Sequence, residues 1–147
     1  MKVIVQRSLE SSVSVNKKIV GSIDYGLVLL VGFTDGDDEI IIDKLVKKIL
    51  NLRIFDDENG IMNRSILDIG GSILSISQFT LYGDIRHGNR PSYIKAMKSD
   101  DASVLYDLFN YKLKENVKVE TGIFGADMKV SITNDGPVTI IIESEEL

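Results

Sequence analysis

The chain contains no cysteine. That excludes a disulfide framework, a thiolate nucleophile and a thiolate-ligated zinc site. Histidine occurs once, as His87, inside a basic stretch, so a Ser-His or Cys-His relay has one poorly placed candidate base and is improbable on chemical grounds. No apolar run reaches the roughly 18 residues of a membrane-spanning helix. The opening Met1-Lys2-Val3-Ile4-Val5 is broken by Gln6 and Arg7 and lacks the apolar core of a signal peptide, so the expected compartment is the cytoplasm. A basic excess is also missing: 17 Lys and Arg stand against 22 Asp and Glu, a net charge of −5. A protein that coats nucleic acid usually shows the opposite balance, so any contact with RNA is expected to be local. HExxH, GxSxG, phosphate-loop and dinucleotide signatures are all absent.

What is present fits one globular unit, residues 1–147, with 44% hydrophobic and 27% charged residues. Lys2 to Arg7, Ser12 to Val15 and Ile19 to Ile23 read as short strands, with a turn at Asn16-Lys17. Gly26 to Phe33 is almost wholly apolar and suits a strand covered on both faces. These segments suggest an opening three-stranded meander. Glu39 to Leu52 carries Ile42, Leu45, Val46, Ile49 and Leu50 at helical spacing. Its acidic start, Asp37 to Glu39, complements a helix N-terminus. Asp56-Asp57-Glu58-Asn59-Gly60 reads as a solvated turn rather than a metal site. Ser72 to Thr80 reads as a strand with Ile73 on one face and Leu74 and Ile76 on the other. Leu81 to Lys98 is a long loop bearing Arg86, His87, Arg90, Lys95 and Lys98. Ser99-Asp100-Asp101 is expected to cap a second helix to about Leu113, with Val104, Leu105, Leu108 and Phe109 on one face. Val117 to Thr121, Met128 to Thr133 and Val138 to Glu143 close the chain as strands. The order predicts an α+β domain: a curled, largely antiparallel sheet with two main helices.

Two spots stand out chemically. Ser77-Gln78-Phe79-Thr80 puts hydroxyl and amide groups where a strand meets a long loop. Those groups either satisfy neighbouring backbone or form a polar rim able to position a carbonyl or hydroxyl. Asn134-Asp135-Gly136-Pro137-Val138-Thr139 reads either as a hairpin turn, for which Asp-Gly is a strong signal, or as an element whose proline removes a backbone donor at a strand start.

Together these two motifs resemble the signature motifs of the bacterial and eukaryotic D-aminoacyl-tRNA deacylases. The likeness extends through Val5-Gln6-Arg7, Arg53-Ile54-Phe55, Gly88-Asn89-Arg90-Pro91-Ser92 and Gly122-Ile123-Phe124-Gly125-Ala126-Asp127-Met128. The resemblance implies a homodimeric hydrolase that cleaves the ester joining a D-amino acid to the terminal adenosine of tRNA, and that also clears glycine mischarged on tRNA-Ala. Its partners are then a second copy and the 3′ aminoacyl end of tRNA, with no cofactor, metal or membrane. By motif, Ser77, Gln78 and Thr80 would be catalytic, with Phe79 lining the same pocket. Gly136 and Pro137, joined by a cis bond, would enter the pocket of the other subunit and be held in place by Arg7. The resemblance also implies catalysis by the 2′-hydroxyl of the terminal ribose. The rivals are Thr80 as nucleophile, for which no base is evident nearby, and a non-catalytic module that binds aminoacyl or nucleotide ligands on the same fold, which the intact pair of motifs disfavours. The loop departs from the family pattern at Gly83-Asp84-Ile85-Arg86-His87, where a hydroxyl and one full charge are lost.

Overall fold

A computed structural model describes residues Met1–Leu147. The chain opens with β1 (Lys2–Ser8), β2 (Ser11–Val15), β3 (Lys18–Ile23) and β4 (Gly26–Gly32), followed by α1 (Glu39–Asn51). A small hairpin, β5 (Phe55–Asp56) and β6 (Met62–Arg64), leads into a single helical turn, α2 (Ile66–Ile69), and then β7 (Ser72–Ser77). The last third holds α3 (Ser99–Lys114), β8 (Lys118–Thr121), β9 (Lys129–Ser131) and β10 (Asn134–Glu143).

The main sheet has the order β10-β1-β4-β7-β8. Its β10, β1 and β4 run antiparallel, while β4, β7 and β8 run parallel. Parallel neighbours need a crossover, and α1 and α3 lie within the two crossovers. Both helices bury their apolar sides on one face of the sheet. Leu45, Ile49, Phe109 and Leu113 there pack with Val3, Val5, Leu27, Leu29 and Ile73 in one core. Asp38 caps α1, its carboxylate accepting from the Ile41 N–H at 2.9 Å.

The opposite face is covered in part by a second sheet, β3-β2-β9. Val13 and Ile23 pack there on Val28, Leu74 and Ile76. This explains why β4 is apolar throughout and why Ile73 and Leu74 are both buried although they point to opposite faces.

Several expectations need correction. The opening strands do not form a meander. β2 and β3 do pair as a hairpin, with Asn16 and Lys17 at φ 49° and 62°, the left-handed pair that suits a tight two-residue turn. But β1 pairs with β4, not with β2. The chain bends after Ser8, where the Ser8 and Ser11 hydroxyls bond each other, and carries β2 across the sheet face so that Val13 is buried. The α+β class holds, with mostly antiparallel pairing divided among three sheets and a third, one-turn helix. Ser65 and Asp68 form a capping box on α2, a local signal that fixes a helix of only one turn.

In α3, Val104 is 67% exposed. The innermost positions are Ala102, Tyr106, Phe109, Asn110 and Leu113. Burial of a tyrosine is possible because its hydroxyl donates to the Ser75 carbonyl at 2.8 Å. Nor does Ser99 cap this helix: Lys98 occupies the cap position without a side-chain hydrogen bond.

The parallel pairing of β4 and β7 depends on Gly26. Its φ is +147°, and a Cβ there would lie 1.9 Å from the Ser72 carbonyl oxygen. Gly26→Ala should therefore destabilise the fold by about 3 kcal/mol or more, read as a lowered urea midpoint with unchanged slope. A loss below about 1 kcal/mol would show that the β4–β7 junction is not tightly fixed.

Candidate functional site

The strand expected to reach Thr80 ends at Ser77. The Gln78 N–H still donates to the Val31 carbonyl at 2.7 Å. Gln78 then leaves the extended region (φ −146°, ψ 79°), and Phe79–Tyr82 form a 3₁₀ turn. Here the core opens into a cavity of about 560 Å³. Ser77, Gln78 and Phe79 line it on one side, and Ala102, Phe124 and Met128 on others. Phe79 is 57% exposed and meets Tyr93 edge-on, with ring centroids 5.0 Å apart. Thr80 lies outside the lining. Its hydroxyl accepts a hydrogen bond from the Gln78 amide, so the two residues are coupled although only one faces the cavity.

The long basic loop is anchored to this region. The Thr34 hydroxyl donates to the Lys95 carbonyl at 2.6 Å, and the Met97 N–H donates to Phe33 at 3.0 Å. Asp84 and Ser92 bridge across its base. Arg86 spends its charge on Asp84, holding that carboxyl well below the usual carboxylate range. His87 lies on the exposed part of the loop, away from the cavity lining.

The second motif is not a hairpin turn, because β10 pairs with β1 on both sides of it. The register passes from Gln6↔Thr139 to Ser8↔Asn134. Asp135, Gly136, Pro137 and Val138 therefore bulge out opposite Arg7. The Asn134 side chain closes the excursion, accepting from the Val138 N–H and donating to the Thr139 hydroxyl, each at 2.9 Å. The Gly136-Pro137 bond is cis. Gly136 has φ +123°, and a Cβ on it would lie 2.8 Å from the Val138 side chain and 3.1 Å from the Arg7 guanidinium. Glycine and proline are both exposed here.

Arg7 itself is buried beneath the bulge. Its guanidinium donates to the Ile54 carbonyl (2.9 Å), the Asp56 carboxylate (3.2 Å) and the Asp135 carbonyl (3.2 Å). The Asp135 carboxylate lies 3.2 Å away as well. The two acidic partners give a buried charge the pairing it requires. The sequence places Asp56 in a solvated turn and Asp135 in the second motif, and neither reading pairs them with Arg7. The segment after α1 did carry the signal, since an arginine inside an apolar strand needs acceptors nearby.

Within one chain the two motifs do not meet. The bulge faces Arg7, which is paired with Leu27 at the start of β4. The cavity lies past Val31 at the other end of that strand and one strand further over. From strand rise and spacing the separation is on the order of 15 Å.

The family model described as D-Tyr-tRNA(Tyr) deacylase matches residues 4–143. The chain belongs to this family. A D-aminoacyl-tRNA deacylase of Bacillus cytotoxicus is 58% identical over 146 residues, covering 99% of this chain and 100% of that protein. One of Thermus aquaticus is 54% identical over 147 residues, with 99% and 97% covered. Among solved structures, a c-Myc DNA unwinding element binding protein superposes with TM-score 0.92 at 39% identity, covering 97% of this chain and 98% of that one. A probable eukaryotic D-amino acid tRNA deacylase superposes with TM-score 0.82 at 19% identity, covering 96% and 97%. At that identity the likeness shows a shared fold.

The bulge at Gly136 and Pro137 rests on Arg7, which gives it a direct test. Lysine keeps the charge but cannot spread three donor directions in a plane. Arg7→Lys should lower stability by about 1–3 kcal/mol and raise amide exchange at Asp135 and Val138 ahead of the rest of β10. Equal exchange across β10 would mean that the bulge stands without the guanidinium.

Proposed function

We propose that this chain is a homodimeric D-aminoacyl-tRNA deacylase, acting in the cytoplasm, that hydrolyses the ester between a D-amino acid and the terminal adenosine of tRNA. The observation that carries the reading is the placement of the family's two motifs on two built features of one sheet: a cavity wall and a fixed, exposed bulge. A cavity of about 560 Å³ is of the size that takes a ligand such as an aminoacyl-adenosine. Ser77, Gln78 and Phe79 are its polar and aromatic rim. Phe79 and Thr80 start the 3₁₀ turn, where backbone N–H groups have no partner inside the turn. Those donors suit an ester oxygen as it becomes an oxyanion.

Thr80 fits a positioning role better than a nucleophilic one. Its hydroxyl takes a hydrogen bond from the Gln78 amide, which supplies a proton donor and no base. The 2′-hydroxyl beside the scissile ester then serves as the internal catalytic group, and the protein contributes orientation. Purified protein should release D-tyrosine from D-tyrosyl-tRNA far faster than L-tyrosine from its mirror-image counterpart. A substrate ending in 2′-deoxyadenosine should lose at least about a hundredfold in rate, whereas Thr80→Val retains measurable activity. Full turnover of the deoxy substrate, or an acyl group trapped on Thr80, would reverse the assignment.

Selection against L substrates belongs on this reading to Gly136 and Pro137 of a second copy. Gly136 lacks a side chain, so the bulge presents backbone. Carbonyl oxygens held against the substrate Cα leave space for hydrogen and none for a side chain. D-aminoacyl and glycyl esters pass, and L-aminoacyl esters are excluded sterically.

A second copy also has a surface to meet. Ile141, Ile4, Leu30 and Ile76 form one row across β10, β1, β4 and β7 on the face away from the helices. Ile76 is covered by the second sheet, whereas Ile141 is 63% exposed. The uncovered end of this row is an apolar patch suited to a twofold contact.

Sedimentation should therefore show one species of twice 16.3 kDa. Subunit mixing tests whether the sites are shared. Gln78→Ala damages the cavity and Gly136→Ala damages the bulge, so each homodimer should be impaired. Their heterodimer holds one intact composite site and should regain activity well above either parent. An inactive heterodimer would show that each subunit uses its own bulge.

A further inference from the structure

Between the 3₁₀ turn and α3, the chain from Gly83 to Lys98 forms no helix and no strand. Its last part still builds cavity wall, since Tyr93, Ala96 and Met97 are in the lining. Tyr93 also supports the rim by meeting the Phe79 ring edge-on. Irregular backbone with few buried contacts is the part of a molecule that opens most easily. The shape of the cavity therefore depends on what ties this segment down. Asp84 and Ser92 join the loop only to itself, and the Ala96 N–H donates to Tyr93 within the segment. The ties to the body of the molecule end on Phe33 and Thr34, just past β4. The Met97 N–H donates to the Phe33 carbonyl at 3.0 Å, and the Thr34 hydroxyl donates to the Lys95 carbonyl at 2.6 Å. Of these, only the Thr34 bond is made by a side chain.

Thr34 is itself fixed before it reaches Lys95. Its N–H donates to the Asp37 carboxylate at 2.8 Å, and its carbonyl accepts from the Asp37 N–H at 3.1 Å. The Asp37 side chain is buried, and its other oxygen accepts from the Met1 amino group. Asp38, next in the chain, caps α1. The hydroxyl thus stands on a closed turn between a strand end and a helix start. Making its bond to Lys95 orders a single torsion that β-branching already keeps stiff.

We propose that Thr34 is a positioning residue for the substrate: its hydroxyl holds Tyr93 to Met97 in place and so sets the wall against which the aminoacyl-adenosine binds. The proposal rests on the D-aminoacyl-tRNA reading. Thr34 is outside the cavity lining and acts through Lys95. Its bond lies at the surface, so water replaces it at small cost to the fold. The cost falls instead on the ligand, which must order a looser wall as it binds. The Met97 bond remains, so the wall loosens without detaching. The groups at Ser77 to Thr80 are untouched, and the chemical step keeps its rate.

The test compares Thr34→Val, which keeps the shape and removes the donor, with Thr34→Ser, which keeps the donor. On D-tyrosyl-tRNA, Thr34→Val should raise KM about three- to tenfold and change kcat by less than about twofold. Amide exchange at Met97 should quicken, while the urea midpoint stays that of the unmodified protein. Thr34→Ser should restore both KM and exchange. An unchanged KM in Thr34→Val overturns the proposal, and so does a serine variant no better than valine. A joint worsening of KM, kcat and urea midpoint, or a Thr34→Val chain that does not fold, marks a merely structural residue and overturns it too. In each of these cases a normal rate for the unmodified protein leaves the deacylase reading standing. If the unmodified protein does not turn over D-tyrosyl-tRNA, that reading fails and the proposal fails with it.

Discussion

A buried guanidinium is the constraint around which much of this molecule is arranged. Arg7 lies on the helix-facing side of β1, in line with Val3 and Val5, where an apolar residue would be expected. Its charge is tolerable there only because two stretches of chain bring acceptors to it: the Ile54 carbonyl and Asp56 carboxylate from one, and Asp135 from the other. Satisfying one side chain thus fixes the exit of the chain after α1, the β5–β6 hairpin and the bulge of β10. The bulge does not need a loop of its own. It is a local excess of residues in a strand that remains paired on both sides, and the arginine fills the space beneath it.

A second constraint comes from β4. Covered on both faces, it lets β7 pair in parallel and directs Ser77 and Gln78 to its far end, where α3 and the segment around Phe124 leave the core incompletely filled. The cavity is therefore a consequence of where β7 stops. Beyond Ser77 the chain leaves the extended region within two residues, and the groups that would have continued the sheet become the rim of the cavity.

The sequence made some of this legible. Apolar periodicity located both main helices, and the two-sided character of β4 and β7 was plain from their composition. Periodicity could not show that β2 leaves β1 and crosses to the other face, because a half-buried strand reads the same whichever sheet covers it. Apolar spacing alone turns Val104 inward on α3, whereas the inner face is completed by Tyr106 and Asn110, residue types that hydropathy does not mark as core. Their burial depends on partners such as the Ser75 carbonyl, which are distant in sequence. Asp135-Gly136 was ambiguous for a similar reason. A turn and a bulge share their local residues, and only pairing with β1 on both sides separates them. Arg7 is identified through resemblance, whereas of its acceptors Asp56 reads from sequence as part of a solvated turn and nothing local ties Ile54 or Asp135 to it.

Charge completes the argument about how such a protein can act on RNA. With a net charge of −5 it has no broad field with which to hold a phosphate backbone. Some of its cations are also already committed: Arg86 to Asp84, and Lys112 to Glu39 and Asp43. On the deacylase reading, affinity must then come from the end of the chain rather than its length, through a base and an aminoacyl group enclosed in the cavity. Every tRNA ends alike, so recognition confined to that end is indifferent to which tRNA carries the error. Discrimination is thereby confined to the one feature that does differ, the configuration at Cα, and that is a difference of shape which a fixed backbone bulge is suited to read.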